Sequence, residues 1–437
     1  MNKILKAGAS SLLILLICFS IGEAMLRIYP AAIPVHYLVK FPPLLRSEIA
    51  AARGLPTVNS RQVLARDDDG PPLYLFKPDI KINHGYKDVN AVNPQHTDQV
   101  GFCNPQPNVF NNSQIDIIAL GDSFTWCVAV EPRETWPFRL GTIVKQSTYN
   151  MGIPGIGIYE QLQILKGLAL HKKPESVIIN IYEGNDFRDA IKFWAYRERT
   201  SDEATNTKAH DDNNSNSSAT FADASYFYQT LVTSAGLILF SNQDMKKGAH
   251  QKFAAKKPLS PKKPGKYGQL EQALMSKPIF PDFRYYLDFG TEKISFNQGN
   301  GDLDEANHAF ALWKGYGHLS VFDQALRDFV KMSRQYGFKP IISYTPAAYS
   351  AYRKQVRFIE RPLLEIMPFY SSVQRTYFND RAKEFGYNFI DLTPALQLAA
   401  KTLGPKKLLY FPINRHLTPE GHEVIARELA ARIETID

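Results

Sequence analysis

The sequence predicts an α/β protein built on a parallel sheet with helices on both faces. Two observations predict it. Short apolar runs recur, each ending in a polar or glycine-rich turn, and stretches of helical length and periodicity separate them. The first run is 116–120 (DIIAL), which leads into Gly121-Asp122-Ser123. A helix is expected over 134–146, with Pro137 tolerated in its first turn. Tyr149 lies on a second short strand ending at Asn150. The turn from Gly152 to Gly157 then opens a helix over about 159–170. Residues 177–182 (VIINIY) form a third buried strand that ends at Gly184-Asn185-Asp186. After an interruption the rhythm resumes with a helix at 319–335, a strand at 340–344, a helix at 372–384, a strand at 388–390 and a last helix from Pro419.

At 437 residues the chain is one large domain with insertions, or two domains. We expect a membrane anchor or signal segment at 1–24, an extended stalk and cap at 25–110, and a catalytic domain at 111–437 with an insertion at about 200–300. Within the insertion, 200–220 is rich in Asn, Ser and Asp and reads as disordered. Residues 226–240 read as an apolar helix too short and interrupted to cross a membrane. A lysine run follows. Lys246, Lys247, Lys252, Lys256, Lys257, Lys262, Lys263 and Lys266 match the whole formal net charge of +8, so the basicity is one local feature. It lacks interleaved aromatics except Phe253 and Tyr267, which argues against nucleic-acid binding. A solvated loop is the plain reading, and contact with anionic lipid or an acidic polysaccharide the sharper one.

Lys3 and Lys6 precede an uncharged stretch from Ala7 to Gly22. About 20 apolar residues span a bilayer, so this stretch is short but workable with its flanks. Lysines ahead of it predict a cytoplasmic N-terminus and an exported body: a single-pass inner-membrane protein with its catalytic domain in the periplasm or outside the cell. The competing reading is a cleaved signal peptide, since Gly22-Glu23-Ala24 resembles a processing site. Cys18 lacks the small residue before it that lipidation requires. Cys103 and Cys127 remain in the body, and their spacing alone does not settle whether they pair.

Ser123, Gly155 and Asn185 each follow a predicted strand, and ligands of open parallel sheets sit at the strands' carboxyl ends. A serine at a strand-to-helix turn is exposed, and a helix N-terminus behind it favours developing negative charge. The N–H groups of Ser123 and Gly155 with the Asn185 amide form a candidate oxyanion hole. His416, in a polar loop before the final helix, is the candidate base. His422 reads as a capping or packing residue and His171 as a solvated one. No His-x-x-x-His or His-x-x-Glu-His spacing appears, so no metal or other cofactor is expected.

These blocks carry a resemblance. ALGDSFTWCVAV (119–130), NMGIPGIG (150–157), YEGND (182–186) and YFPINRHLTPEGH (410–422) resemble the SGNH (GDSL-type) hydrolase superfamily, in particular its membrane-anchored bacterial branch. Glu23, Leu26-Arg27 and the text around 97–102 are also similar to that branch. The resemblance covers about 95–195 and 300–435. It implies a flavodoxin-like three-layer fold, with Ser123 as nucleophile, Gly155 and Asn185 as oxyanion donors and His416 as base. It also implies an esterase or acyltransferase, of O-acetyl groups above all, whose partner is an acylated exported or cell-envelope glycan.

Two departures stand out. The family places an aspartate two or three residues before the catalytic histidine, where this chain has Asn414 and Ile413. Three readings follow: a Ser–His dyad with His416 held by Asn414 or a backbone carbonyl, a triad completed by a distant carboxylate such as Asp391, or a catalytically impaired protein that binds acylated glycan. Second, cysteines replace the family's usual residues at 103 and 127. In an oxidising compartment we expect them to form a disulfide that pins the N-terminal cap to the nucleophile turn.

Overall fold

The computed structural model describes residues 14, 17–33, 41, 45, 49, 61–65, 73–82, 95–204, 227–228, 230–231, 265–276, 279–297 and 303–435. The chain divides into two compact units: 1–60 with 81–94 and 209–256, and 61–80 with 95–208 and 257–437.

In the first unit, residues 17–28 are helical, with an ion pair of 2.6 Å between Arg27 and Glu23. Phe19 meets Phe227 edge-on at 5.2 Å, and Ile33, Phe41, Leu45 and Ile49 form a buried cluster. Among the described residues no helix is long and apolar enough to cross a membrane, so the expected anchor finds no support there. Much of the stretch from Ala7 to Gly22 lies outside them, as do the readings made for 205–226, for 232–240 and for all of the lysine run but Lys266.

The second unit carries a five-stranded sheet: β1 (Ile117–Leu120), β2 (Thr148–Asn150), β3 (Ser176–Tyr182), β4 (Lys339–Thr345) and β5 (Asn388–Asp391). All neighbours pair in parallel, in the spatial order β2-β1-β3-β4-β5. This doubly wound order has its switch point between β1 and β3. Every residue of β1 and β3 is buried, as expected for strands covered on both faces. Even the polar Asn180 inside β3 is buried, and its amide donates to Thr345 Oγ1 of β4 at 2.9 Å.

The longer helices among the described residues of this unit are α1 (Trp136–Val144), α2 (Ile158–Ile164), α3 (Asp186–Ala204), α4 (Lys266–Ser276), α5 (Leu303–Trp313), α6 (Asp323–Tyr336), α7 (Leu363–Phe385), α8 (Thr393–Leu403) and α9 (Pro419–Ile433). α1, α8 and α9 pack together as one layer, and α2, α6 and α7 form another. Pro137 sits in the first turn of α1, where its missing N–H costs nothing. α9 starts on Pro419 behind Thr418, whose hydroxyl accepts the Gly421 N–H.

Several expectations shift. α7 begins at Leu363, well before the expected 372, although Pro368 lies inside it. Burial of Leu363, Ile366, Met367 and Tyr370 outweighs the lost backbone hydrogen bond. The helix expected over 159–170 leaves α geometry after Ile164, passing through a π turn at Leu165–Ala169. α3, α4, α5 and α8 are additional. Part of the expected insertion is a small antiparallel sheet: Tyr285–Asp288 pairs with Lys293–Phe296 and with Val356–Phe358.

Candidate active site

Ser123 lies two residues beyond the turn glycine that ends β1, and its side chain is partly exposed. No helix begins behind it, contrary to the sequence expectation. Residues 123–129 form hydrogen-bonded turns, with the N–H groups of Thr125 and Trp126 both donating to Asp122 O, and α1 starts only at Trp136. Asp122 uses its own Oδ1 to accept the Phe124 N–H at 2.8 Å, a local bond that competes with helix formation. The positive helix end sits instead at Asn185, where the 19-residue α3 begins.

The turn after β2 braces the nucleophile turn. Asn150 Nδ2 donates to Thr125 O at 2.7 Å while Asn150 Oδ1 accepts the Gly152 N–H at 2.9 Å. A Cβ on Gly152 would lie 2.7 Å from Thr125 Cβ and from Trp126 N, so only glycine permits this approach. Gly155 is needed for a different reason: its φ is +80°, with open space around it.

Asn185 follows β3, and its Nδ2 donates to Asp189 Oδ2 at 2.8 Å. Burial pushes Asp189 up, but the Arg188 and Lys192 charges and hydrogen bonds from Arg188 and Asn185 win, bringing it down to about 2. Asp189 is therefore an ionised anchor that fixes the Asn185 amide. Asp122 behaves oppositely: burial, the largest influence, pushes it up to about 7 against the Phe124 N–H it accepts. Asp186 is also raised well above the ordinary range, first by burial and then by the nearby Asp122 and Asp189 carboxyls. Its Oδ2 accepts the Tyr182 N–H at 2.9 Å. Beneath them Glu183 accepts hydroxyl protons from Ser350 and Ser371 at 2.5 and 2.9 Å, and burial pushes it up to about 7.

His416 sits in a closed loop. Leu417 bridges to Tyr410, Phe411 N–H donates to His416 O at 2.9 Å and Thr418 N–H to Leu409 O at 3.0 Å. Arg415 takes a left-handed φ of +63°, and Asn297, next to the hairpin strand, donates its N–H to Pro412 O. Asn414 Oδ1 accepts the backbone N–H of His416 at 2.9 Å, so Asn414 shapes the turn. Asp391 is engaged elsewhere, with Arg375 at 2.5 Å and the Thr393 N–H at 2.9 Å. His422 is buried, and its Nδ1 accepts the Trp136 N–H at the start of α1. Burial, with Arg139 and His416 adding to it, holds His422 down at about 3.

The ring of His416 stacks on Phe124, centroids 4.9 Å apart and planes 29° apart. Phe124 stacks in turn on Tyr182 at 3.5 Å and 14°. The three rings run from the His416 loop across the nucleophile turn to the end of β3. The sequence reading missed Phe124 and Tyr182, although Phe124 adjoins Ser123 and Tyr182 opens the YEGND block.

Cys103 and Cys127 form a disulfide with Cα atoms 6.1 Å apart. It ties the nucleophile turn to the segment organised by Asp98, whose Oδ1 accepts the N–H groups of Val100, Gly101 and Phe102. Its Oδ2 accepts Asn104 Nδ2 and the Tyr149 hydroxyl.

No protein-family model matches the chain. No curated protein matches it either. Solved structures do. One is a G-D-S-L family lipolytic protein from Desulfitobacterium hafniense DCB-2, 13% identical, with 73% of this chain and 99% of that chain covered and a TM-score of 0.33. An acetylxylan esterase from Geobacillus stearothermophilus is 13% identical, with 74% and 94% covered and a TM-score of 0.33. A GDSL-like lipase from Parabacteroides merdae is 12% identical, with 74% and 96% covered and a TM-score of 0.33.

Proposed function

We propose that the chain is a serine-dependent ester hydrolase or acyltransferase that works through Ser123 and His416. The observation that carries this reading is convergence at the sheet's switch point. Ser123 follows β1, Gly155 follows β2, Asn185 follows β3, and the His416 ring stacks on the residue next to Ser123. In the proposed reaction His416 takes the Ser123 hydroxyl proton as Oγ bonds to the ester carbonyl carbon. The oxyanion is held by the N–H groups of Ser123 and Gly155 and by Asn185. Collapse expels the alcohol, which takes the proton from His416 and leaves an acyl-Ser123. Water or a sugar hydroxyl, deprotonated by His416, then attacks the acyl carbon, and His416 returns that proton to Ser123 Oγ as the serine leaves.

The substrate class, an O-acetylated glycan of the cell envelope, and the location, an inner-membrane anchor with the site on the exported side, rest on the resemblance of the sequence blocks and on the lysines before residue 7. Hydrolysis of p-nitrophenyl acetate by the full-length chain in detergent, compared with Ser123→Ala, tests the reading. We expect turnover that the substitution abolishes. Asn414, standing where the family has an acid, favours one rival, an impaired protein that binds acylated glycan; equal background rates in both proteins would support it.

A further inference from the structure

Resting on that reading, we propose that Phe124 is a positioning residue for His416, orienting the imidazole and stabilising it once it carries the serine's proton. A general base next to a serine must be held at one orientation and must be stabilised once it carries the serine's proton. A carboxylate does both. Here the residue at the expected position is Asn414, whose Oδ1 accepts the His416 backbone N–H and so fixes the loop. The His416 ring lies on Phe124, face to face within 29° and with centroids 4.9 Å apart.

That contact answers both requirements. Stacking restricts rotation of the imidazole about its Cβ–Cγ bond, and an aromatic face within about 6 Å attracts a cation through its quadrupole. Imidazolium forms as Ser123 gives up its proton, so the attraction grows toward the transition state and acts on the chemical step. Phe124 is itself held rigidly. It is buried, its N–H donates to Asp122 Oδ1 at 2.8 Å, and its ring also stacks on Tyr182 at 3.5 Å. Burial, the largest influence, keeps the Tyr182 hydroxyl protonated. Because Phe124 directly follows Ser123, the stack also ties the base to the nucleophile's own backbone.

The test is the kinetics of covalent labelling by a fluorophosphonate, on full-length wild type, Phe124→Leu and Phe124→Tyr. Leucine keeps an apolar side chain of similar burial but has no π face; tyrosine keeps the face. We expect Phe124→Leu to lower the maximal labelling rate by roughly 3- to 30-fold, the range of cation–π energies, with the half-saturating probe concentration unchanged and Phe124→Tyr within about 2-fold of wild type. A Phe124→Leu rate equal to wild type, a change in half-saturation alone, or a Phe124→Tyr loss as large as that of leucine would overturn the proposal. An independent reading needs no variant: the His416 ring proton resonance in wild type is expected upfield of its position in an unstructured peptide, and an unshifted resonance also overturns the stack. Wild type left unlabelled at Ser123 overturns the nucleophile assignment itself, whereas labelling that is indifferent to residue 124 overturns only the role of Phe124.

Discussion

Asn414 Oδ1 accepts the backbone N–H of His416 at 2.9 Å, so the amide where an acid was expected builds the turn that presents the histidine. Asparagine does this through its carbonyl oxygen alone, and a carboxylate has an equivalent oxygen. We predict that Asn414→Asp keeps the loop and its activity within a few-fold. Asn414→Ala is predicted to lose about 1 kcal/mol of stability and on the order of tenfold in acetyl-ester turnover. Urea unfolding and initial rates measured on both variants check this.

Asp98 accepts five hydrogen bonds from three backbone N–H groups, Asn104 and Tyr149. Alanine at 98 would strand these buried donors. The expected cost is about 3–5 kcal/mol, read as a lower midpoint in urea at an unchanged slope.

The Cys103–Cys127 disulfide closes a loop of 24 residues in sequence separation. A loop of that size is worth about 3 kcal/mol in the chain-entropy model. Replacing both cysteines with serine is therefore expected to lower the thermal midpoint and to slow Ser123 labelling, since Cys127 lies on the same turns as Ser123. Intact stability in the double variant would contradict it.

Asp122 is buried and raised to about 7, chiefly by burial. The fold holds its proton through a range where the unfolded chain has released it. This contribution to stability is fully present below the unfolded value near 4 and is lost as pH rises through about 7. Asn at this position copies the protonated shape at every pH. The stability of Asp122→Asn relative to wild type is predicted to grow between pH 4 and pH 7, by on the order of a few kcal/mol, and then to level off. Thermal melts of the two proteins across that range supply the comparison; a constant difference would show that Asp122 is not held protonated.

The strands and the three turns after β1, β2 and β3 were legible because a fully buried strand reads as an apolar run and a turn as its Gly and Asn. α3 was not: its buried face is interrupted by Asp186 and Asp189, and Arg188 beside them pairs both with Asp189 and with the distant Asp304. α7 was cut short by Pro368, which packing overrides. In the candidate site, Ser123, Gly155, Asn185 and His416 stand out in the sequence as block residues, whereas the helix expected behind Ser123 gave way to turns fixed by Asp122. The ring stack was invisible because it joins residues 124, 182 and 416, far apart in the chain.

The most direct test of Ser123 as nucleophile is peptide mass spectrometry after exposure to a serine-reactive phosphonate. The prediction is one phosphonyl adduct, located on Ser123, absent in Ser123→Ala and strongly slowed in His416→Ala. An adduct elsewhere, or none on a folded wild-type protein, would contradict it.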